Sequence, residues 1–142
     1  MTALLVVDAS VVVKWYTDEP DSPSARGILI SGTDLIAPDV IVAEVLNALW
    51  SKRRKGLMPH LDLDELERSL LGSFTEIVPS SVVMKSAFTI ALDLDHPVYD
   101  CLYLALAAAR DCRLVTADAR LLARLVKSPH RDRVMPLRDW PG

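Results

Sequence analysis

Two short apolar runs, Leu4-Leu5-Val6-Val7 and Leu114-Val115-Thr116-Ala117, each end on an aspartate, Asp8 and Asp118, and each is followed at once by a helical pattern. Unbroken apolar runs without polar alternation suit strands buried on both faces, which is the condition of a parallel sheet. Parallel neighbours cannot be joined by hairpins and need crossover segments, usually helices. That requirement fixes what the rest of the chain must supply.

The intervening sequence supplies it. A helix is expected over Ala9 to Trp15, and a second from the Asp21-Ser22-Pro23-Ser24 start signal to a stop at Gly32. Leu35-Ile36-Ala37 reads as a strand, and Pro38-Asp39 opens a long helix that Gly56 ends. From Val40 to Trp50 this helix is apolar around most of its circumference, so the pattern predicts a largely buried element. Leu61 to Leu71 forms an amphipathic helix, Glu76-Ile77-Val78 a strand, and Ser80-Ser81 caps a helix running to about Leu94 through Val82, Val83, Ala87 and Ile90. Pro97 leads into the most apolar helix of the chain, whose polar groups between Leu102 and Ala109 reduce to the Tyr103 hydroxyl. Arg113 to Thr116 and Val134 to Leu137 are the last strands, the latter at an edge because Pro136 cannot serve a central ladder. Strand and helix alternate throughout. The expected fold is therefore α/β: a three-layer sandwich with a central, mostly parallel sheet of four to five strands and helices on both faces.

Its 142 residues fit one domain, 1–142, and a 51% apolar content is too high for a disordered chain. No apolar run reaches membrane-spanning length, and the N-terminus lacks a secretory signal pattern, so a cytoplasmic location and no membrane partner are expected. Cys101 and Cys112 fall on one expected helix about 16 Å apart, too far for a disulfide. The net charge of −3 excludes a broad electrostatic nucleic-acid binder, though not a local basic rim.

Four carboxylates stand where apolar elements meet solvent: Asp8, Glu44, Asp100 and Asp118. Three of them have an ordinary alternative. Asp8 could be a helix N-cap, Glu44 a carboxylate satisfied by neighbours, and Asp100 an acid favoured by a helix dipole. In an open α/β sheet, however, ligands sit beyond the carboxyl ends of the strands, where Asp8 and Asp118 both lie, and the first turns of following helices reach the same hollow. Converging carboxylates would raise one another's pKa unless a cation intervened. With no Cys or His cluster, an oxygen-only set points to Mg²⁺ or Mn²⁺ and to metal-assisted phosphoryl chemistry. Ser10 and Thr116 fit as hydroxyls holding those carboxylates, and Asn47 shares a helix face with Glu44. His60, His96 and His130 are scattered and read as structural or exposed. The run Lys52-Arg53-Arg54-Lys55 is either a solvated helix end or a phosphate contact, as is the pair Arg120 and Arg124.

Asp8-Ala9-Ser10, Pro38-Asp39 with Glu44-Val45-Leu46-Asn47, Tyr99-Asp100-Cys101-Leu102-Tyr103-Leu104-Ala105-Leu106-Ala107 and Leu114-Val115-Thr116-Ala117-Asp118 together resemble the PIN domain, and within it the VapC toxins of toxin–antitoxin pairs. The resemblance implies a Mg²⁺- or Mn²⁺-dependent endoribonuclease that cuts an RNA phosphodiester with a metal-activated water. It also implies a homodimer held inactive by a cognate antitoxin. Asp8, Glu44, Asp100 and Asp118 match the family's acidic positions, Thr116 its small hydroxyl residue, and Asn47 a position that is often polar; Cys101 departs from the small residue usual after the third acid. A haloacid-dehalogenase phosphatase would need an acid where Ser10 stands, and a receiver domain an aspartate where Val78 runs into Pro79. The remaining alternative is a non-catalytic PIN-like module that binds protein or RNA, which would be expected to have lost some of the acids.

Overall fold

The computed structural model describes residues 3–58 and 60–141. Strand β1 (Leu4–Val7) passes into a short helix α1 (Ala9–Val12), which tightens into a 3₁₀ turn at Val13–Trp15. Helix α2 (Ser22–Ile30) leads to β2 (Asp34–Pro38), then α3 (Val40–Arg54), α4 (Leu63–Gly72) and β3 (Glu76–Val78). The second half contains α5 (Met84–Leu94), α6 (Val98–Ala109), β4 (Arg113–Thr116), α7 (Ala119–Leu125) and β5 (Val134–Pro136). All five strands are parallel, in the order β3-β2-β1-β4-β5. β5 is the expected edge strand containing Pro136.

Consecutive residues on a strand point to opposite faces, and Val6, Val7, Leu114 and Val115 are all fully buried. The centre of the sheet is therefore covered on both sides, as its unbroken apolar runs require. Helix α6 lies against β1, β2 and β4, with α5 packed antiparallel to it across a three-residue connection. Tyr103, Leu104 and Leu106 are at most 1% exposed. Removing an aliphatic side chain that size from water stabilises the fold by about 1.5–3 kcal/mol, so α6 anchors the core.

The strand order places the site. β1 is flanked by β2, which follows it, and by β4, which arrives after two intervening strands. This is where the order reverses, and Asp8 and Asp118 leave the carboxyl ends of the two strands on either side of the crevice.

Several expectations change. Helix α3 is not largely buried: Ile41, Val45 and Leu49 form its buried stripe, while Leu46 and Trp50 are 46% and 59% exposed. It packs against α1 and the following 3₁₀ turn. Leu46 and Trp50 instead border a cleft of about 380 Å³ that continues over Met58, Leu61 and Leu63 of the α4 approach. The helix expected from Ser80 is a 3₁₀ turn over Ser80–Val82, and α5 proper begins at Met84. Ser80 donates to the Asp39 carboxylate through both backbone and hydroxyl instead of capping a helix, and Val82 is left exposed. Cys112 lies beyond the end of α6, and neither cysteine forms a disulfide.

Candidate active site

Asp8 is 3% exposed, and its side chain does not cap α1. Its Oδ2 accepts from Ser10 Oγ at 2.6 Å and from Thr116 Oγ1 at 2.8 Å. A hydroxyl has one proton to give. Ser10 Oγ also receives the Ala117 N–H, and Thr116 Oγ1 receives the Asp118 N–H, which leaves each hydroxyl proton aimed at Asp8. The two residues thus tie the end of β1 to the end of β4. Burial raises the Asp8 pKa to about 7, against the opposing pull of the two hydroxyls and with a further push from Asp100 and Glu44.

The capping role expected as an alternative for Asp8 belongs to Asp118, whose Oδ1 caps α7 by accepting the N–H groups of Arg120 and Leu121. Glu44, half-buried on α3, accepts the Tyr103 hydroxyl at 2.6 Å on Oε1. Asp100, in the first turn of α6, has its Oδ2 2.5 Å from His96 Nε2. Burial raises the pKa of both Glu44 and Asp100; Asp118 adds to both, and Arg120 and His96 pull Asp100 back.

The four acids are near enough for their charges to act on one another, and they share one arrangement. In every case one carboxylate oxygen is held by a protein donor, while the other makes no hydrogen bond among the described residues. An oxygen-only donor set with one free oxygen per carboxylate suits a hard divalent cation. Among the described residues, no group of three or more Asp, Glu, His or Cys side chains is gathered closely enough to hold an ion as it stands. To hold an ion the free oxygens would have to draw together, and the charge of the cation would offset their mutual repulsion.

A PIN domain model matches residues 5–127. The chain belongs to the PIN domain family. A curated relative, ribonuclease VapC3 of Pyrobaculum aerophilum, is 34% identical over 119 residues, covering 82% of this chain and 91% of the relative. Two solved structures share the fold, each with a TM-score of 0.62. One, from Pyrobaculum aerophilum, is 22% identical, with 96% of this chain and 85% of that chain covered. The other, a toxin–antitoxin complex from Klebsiella pneumoniae, is 13% identical, with 96% and 98% covered.

The other candidates separate. Ser10 and Thr116 touch Asp8 directly, whereas Asn47 is exposed on α3 and forms no hydrogen bond among the described residues. Lys52 reaches Glu19 at 3.6 Å, and the Arg54 guanidinium lies 5.4 Å from the Trp50 ring centre. Arg53 and Lys55 are exposed near the same helix end. Arg120 and Arg124 are exposed on α7, and Arg120 is near enough to lower the Asp100 pKa. Two contributors escape a reading of the chain by composition. His96, expected to be structural or exposed, is 9% exposed and contacts an acid; its signal is a spacing of four from Asp100. Tyr103 looked like a core residue, but its hydroxyl is the lone polar side-chain group between Leu102 and Ala109 and lies one turn from Asp100.

Proposed function

We propose that the chain is a Mg²⁺- or Mn²⁺-dependent endoribonuclease of the cytoplasm and the toxin of a toxin–antitoxin pair. The observation that carries this reading is the set of four carboxylates at the β1–β4 crevice, each with one oxygen anchored and the other free. Asp8, Glu44, Asp100 and Asp118 would hold the ion. A divalent cation supplies Lewis acidity to a phosphodiester and its attacking water. The protein's own part is to hold the carboxylates in place through Ser10, Thr116, Tyr103 and the α7 N-terminus. The name of the Pyrobaculum relative and the subject of the Klebsiella structure support the activity and the antitoxin partner. The test is cleavage of total RNA by the purified chain with Mn²⁺, Mg²⁺ or EDTA. Cuts that require the cation are expected; no cutting with either ion would favour a non-catalytic binding module. Suppression of cutting by the product of a short adjoining reading frame would identify the antitoxin.

For RNA phosphates we assign the larger share to Arg120 and Arg124, which lie one turn apart on α7, Arg120 near enough to act on Asp100. Lys127 continues the exposed basic strip. Lys52 and Arg54, engaged by Glu19 and Trp50, receive the smaller share, with Arg53 and Lys55. In a cleavage-dead Asp100→Asn background, Arg120→Glu with Arg124→Glu should weaken single-stranded RNA binding at least about tenfold. It should also flatten the slope of log affinity against log salt by about 1.4, at roughly 0.7 per lost contact. Fluorescence anisotropy across a salt series measures both, and an unchanged slope would remove these residues from the interface.

A homodimer also follows from this reading. Met84, Phe88 and Leu92 lie four residues apart on α5 and are 60–67% exposed, an apolar stripe that a second copy would cover. Phe88→Glu should convert a two-chain mass in light scattering to a one-chain mass without changing the far-UV circular dichroism. A wild-type chain that is monomeric at high concentration would dismiss the pairing.

A further inference from the structure

We propose that His96 is a positioning residue for Asp100, fixing which carboxylate oxygen is presented to the divalent cation; this rests on the metal-dependent reading above. His96 belongs to neither the acidic set nor the elements at the sheet edge. It lies in the connection between α5 and α6, after Asp95 closes α5 in the left-handed region (φ 50) and before Pro97 opens α6. Its backbone N–H returns to the Ala91 carbonyl, which pins the turn. The imidazole is 6% exposed and the Asp100 carboxylate 18% exposed, with Nε2 2.5 Å from Oδ2. A carboxylate can only accept, so the Nε2–H form of the ring donates to it.

The reasons for assigning a role beyond packing are geometric. A buried polar ring needs a partner, yet a packing role would be met by any acceptor in the turn. His96 instead addresses an oxygen of Asp100, the one acid of α6, whose charge acts on the other acids. The outcome matches the other carboxylates. Ser10 and Thr116 hold Asp8 Oδ2, Tyr103 holds Glu44 Oε1, and two backbone N–H groups hold Asp118 Oδ1. With Oδ2 held, the rotamer of Asp100 is set and Oδ1 is the oxygen left to face the hollow. Partners of this kind, which orient a ligand without touching the ion, typically alter metal affinity 10–100-fold when removed.

The test is Mn²⁺ affinity, measured on the purified chain by electron paramagnetic resonance of the free ion, with thermal unfolding in EDTA recorded alongside. The amide nitrogen of Gln can reach where Nε2 of His stands, whereas that of Asn stands nearer to Nδ1. His96→Gln should therefore keep Mn²⁺ affinity within about threefold of wild type, while His96→Asn and His96→Leu should lose about 10–100-fold. In an Asp100→Asn background, His96→Leu should add no further loss, because it acts through Asp100. Comparing Gln with Asn keeps the test valid even if the Leu variant does not fold. Equal affinities for Gln and Asn would overturn the proposal, as would an undiminished loss from His96→Leu when Asp100 is already Asn. A wild-type chain with no saturable Mn²⁺ binding would overturn the metal reading and this inference together. Wild-type binding with indifference to His96 would overturn the inference alone.

Discussion

Replacing Asp100 with Asn should lower cation-dependent RNA cleavage by at least about 10³-fold, or ~4 kcal/mol of transition-state stabilisation, while the fold survives. The substitution keeps the shape of the side chain and an oxygen that can accept from His96, so the α5–α6 turn retains its contact. It removes one of four mutually repelling charges, and that repulsion with Asp118 already raises the Asp100 pKa. The folded chain thus keeps its hydrogen bond to His96 and loses only the more distant attraction of Arg120. What disappears is the anionic oxygen offered to a cation. Asp8→Asn should do the same, and the double variant should cut little worse than either single one, since residues acting as a unit are not additive. Cleavage of labelled RNA in Mn²⁺ checks the prediction, with circular dichroism to show that the fold persists. Full activity in a contamination-free Asp100→Asn preparation would remove Asp100 from the catalytic set.

The centre of the sheet was readable because β1 and β4 carry the same signal, a short run without polar alternation closed by an acid and a helix start. Val6-Val7-Asp8 and Val115-Thr116-Ala117-Asp118 place both acids at one edge once the strands are taken as parallel, and the structure makes all five parallel. Helix α3 was misread because apolar composition around a helix does not say how many faces find a partner. Leu46 and Trp50 are as apolar as Val45 and Leu49 but face a cleft. The start of α5 was missed for a similar reason. Ser80 is a good capping residue by type, but the Asp39 carboxylate takes its hydroxyl and N–H, a contact between positions 41 apart in the chain. The acids themselves were visible as charges in apolar settings. Of their holders, Ser10 and Thr116 were visible as hydroxyls within two residues of an acid. His96 and Tyr103 look like a turn histidine and a core tyrosine, and only the packing of α5 and α3 against α6 turns them toward carboxylates.

In EDTA the protein should be more stable at pH 6 than at pH 8. An acid whose pKa is higher in the folded chain than in the unfolded one binds its proton more tightly when folded, so protonation favours the fold. For Asp8 the window lies between 3.8, its ordinary value, and about 7. The stabilisation is complete below the lower value and is lost as pH rises through the upper one. Between pH 6 and 8 that loss is about 1.4 kcal/mol, or roughly 3–6 °C in the unfolding midpoint. Glu44 and Asp100 are raised as well and act in the same direction, whereas the lowered pKa of Glu19 acts only at more acid pH. Asp8→Asn, which has no proton to lose, should flatten the dependence. Mn²⁺ should invert it, because ligands must be deprotonated to bind and the ion favours the state that binds it. Calorimetry at the two pH values, with EDTA and with Mn²⁺, reads all three effects. A wild-type midpoint in EDTA that rises from pH 6 to pH 8, and does so equally in Asp8→Asn, would mean that the buried carboxylate is not the source of strain in the metal-free fold.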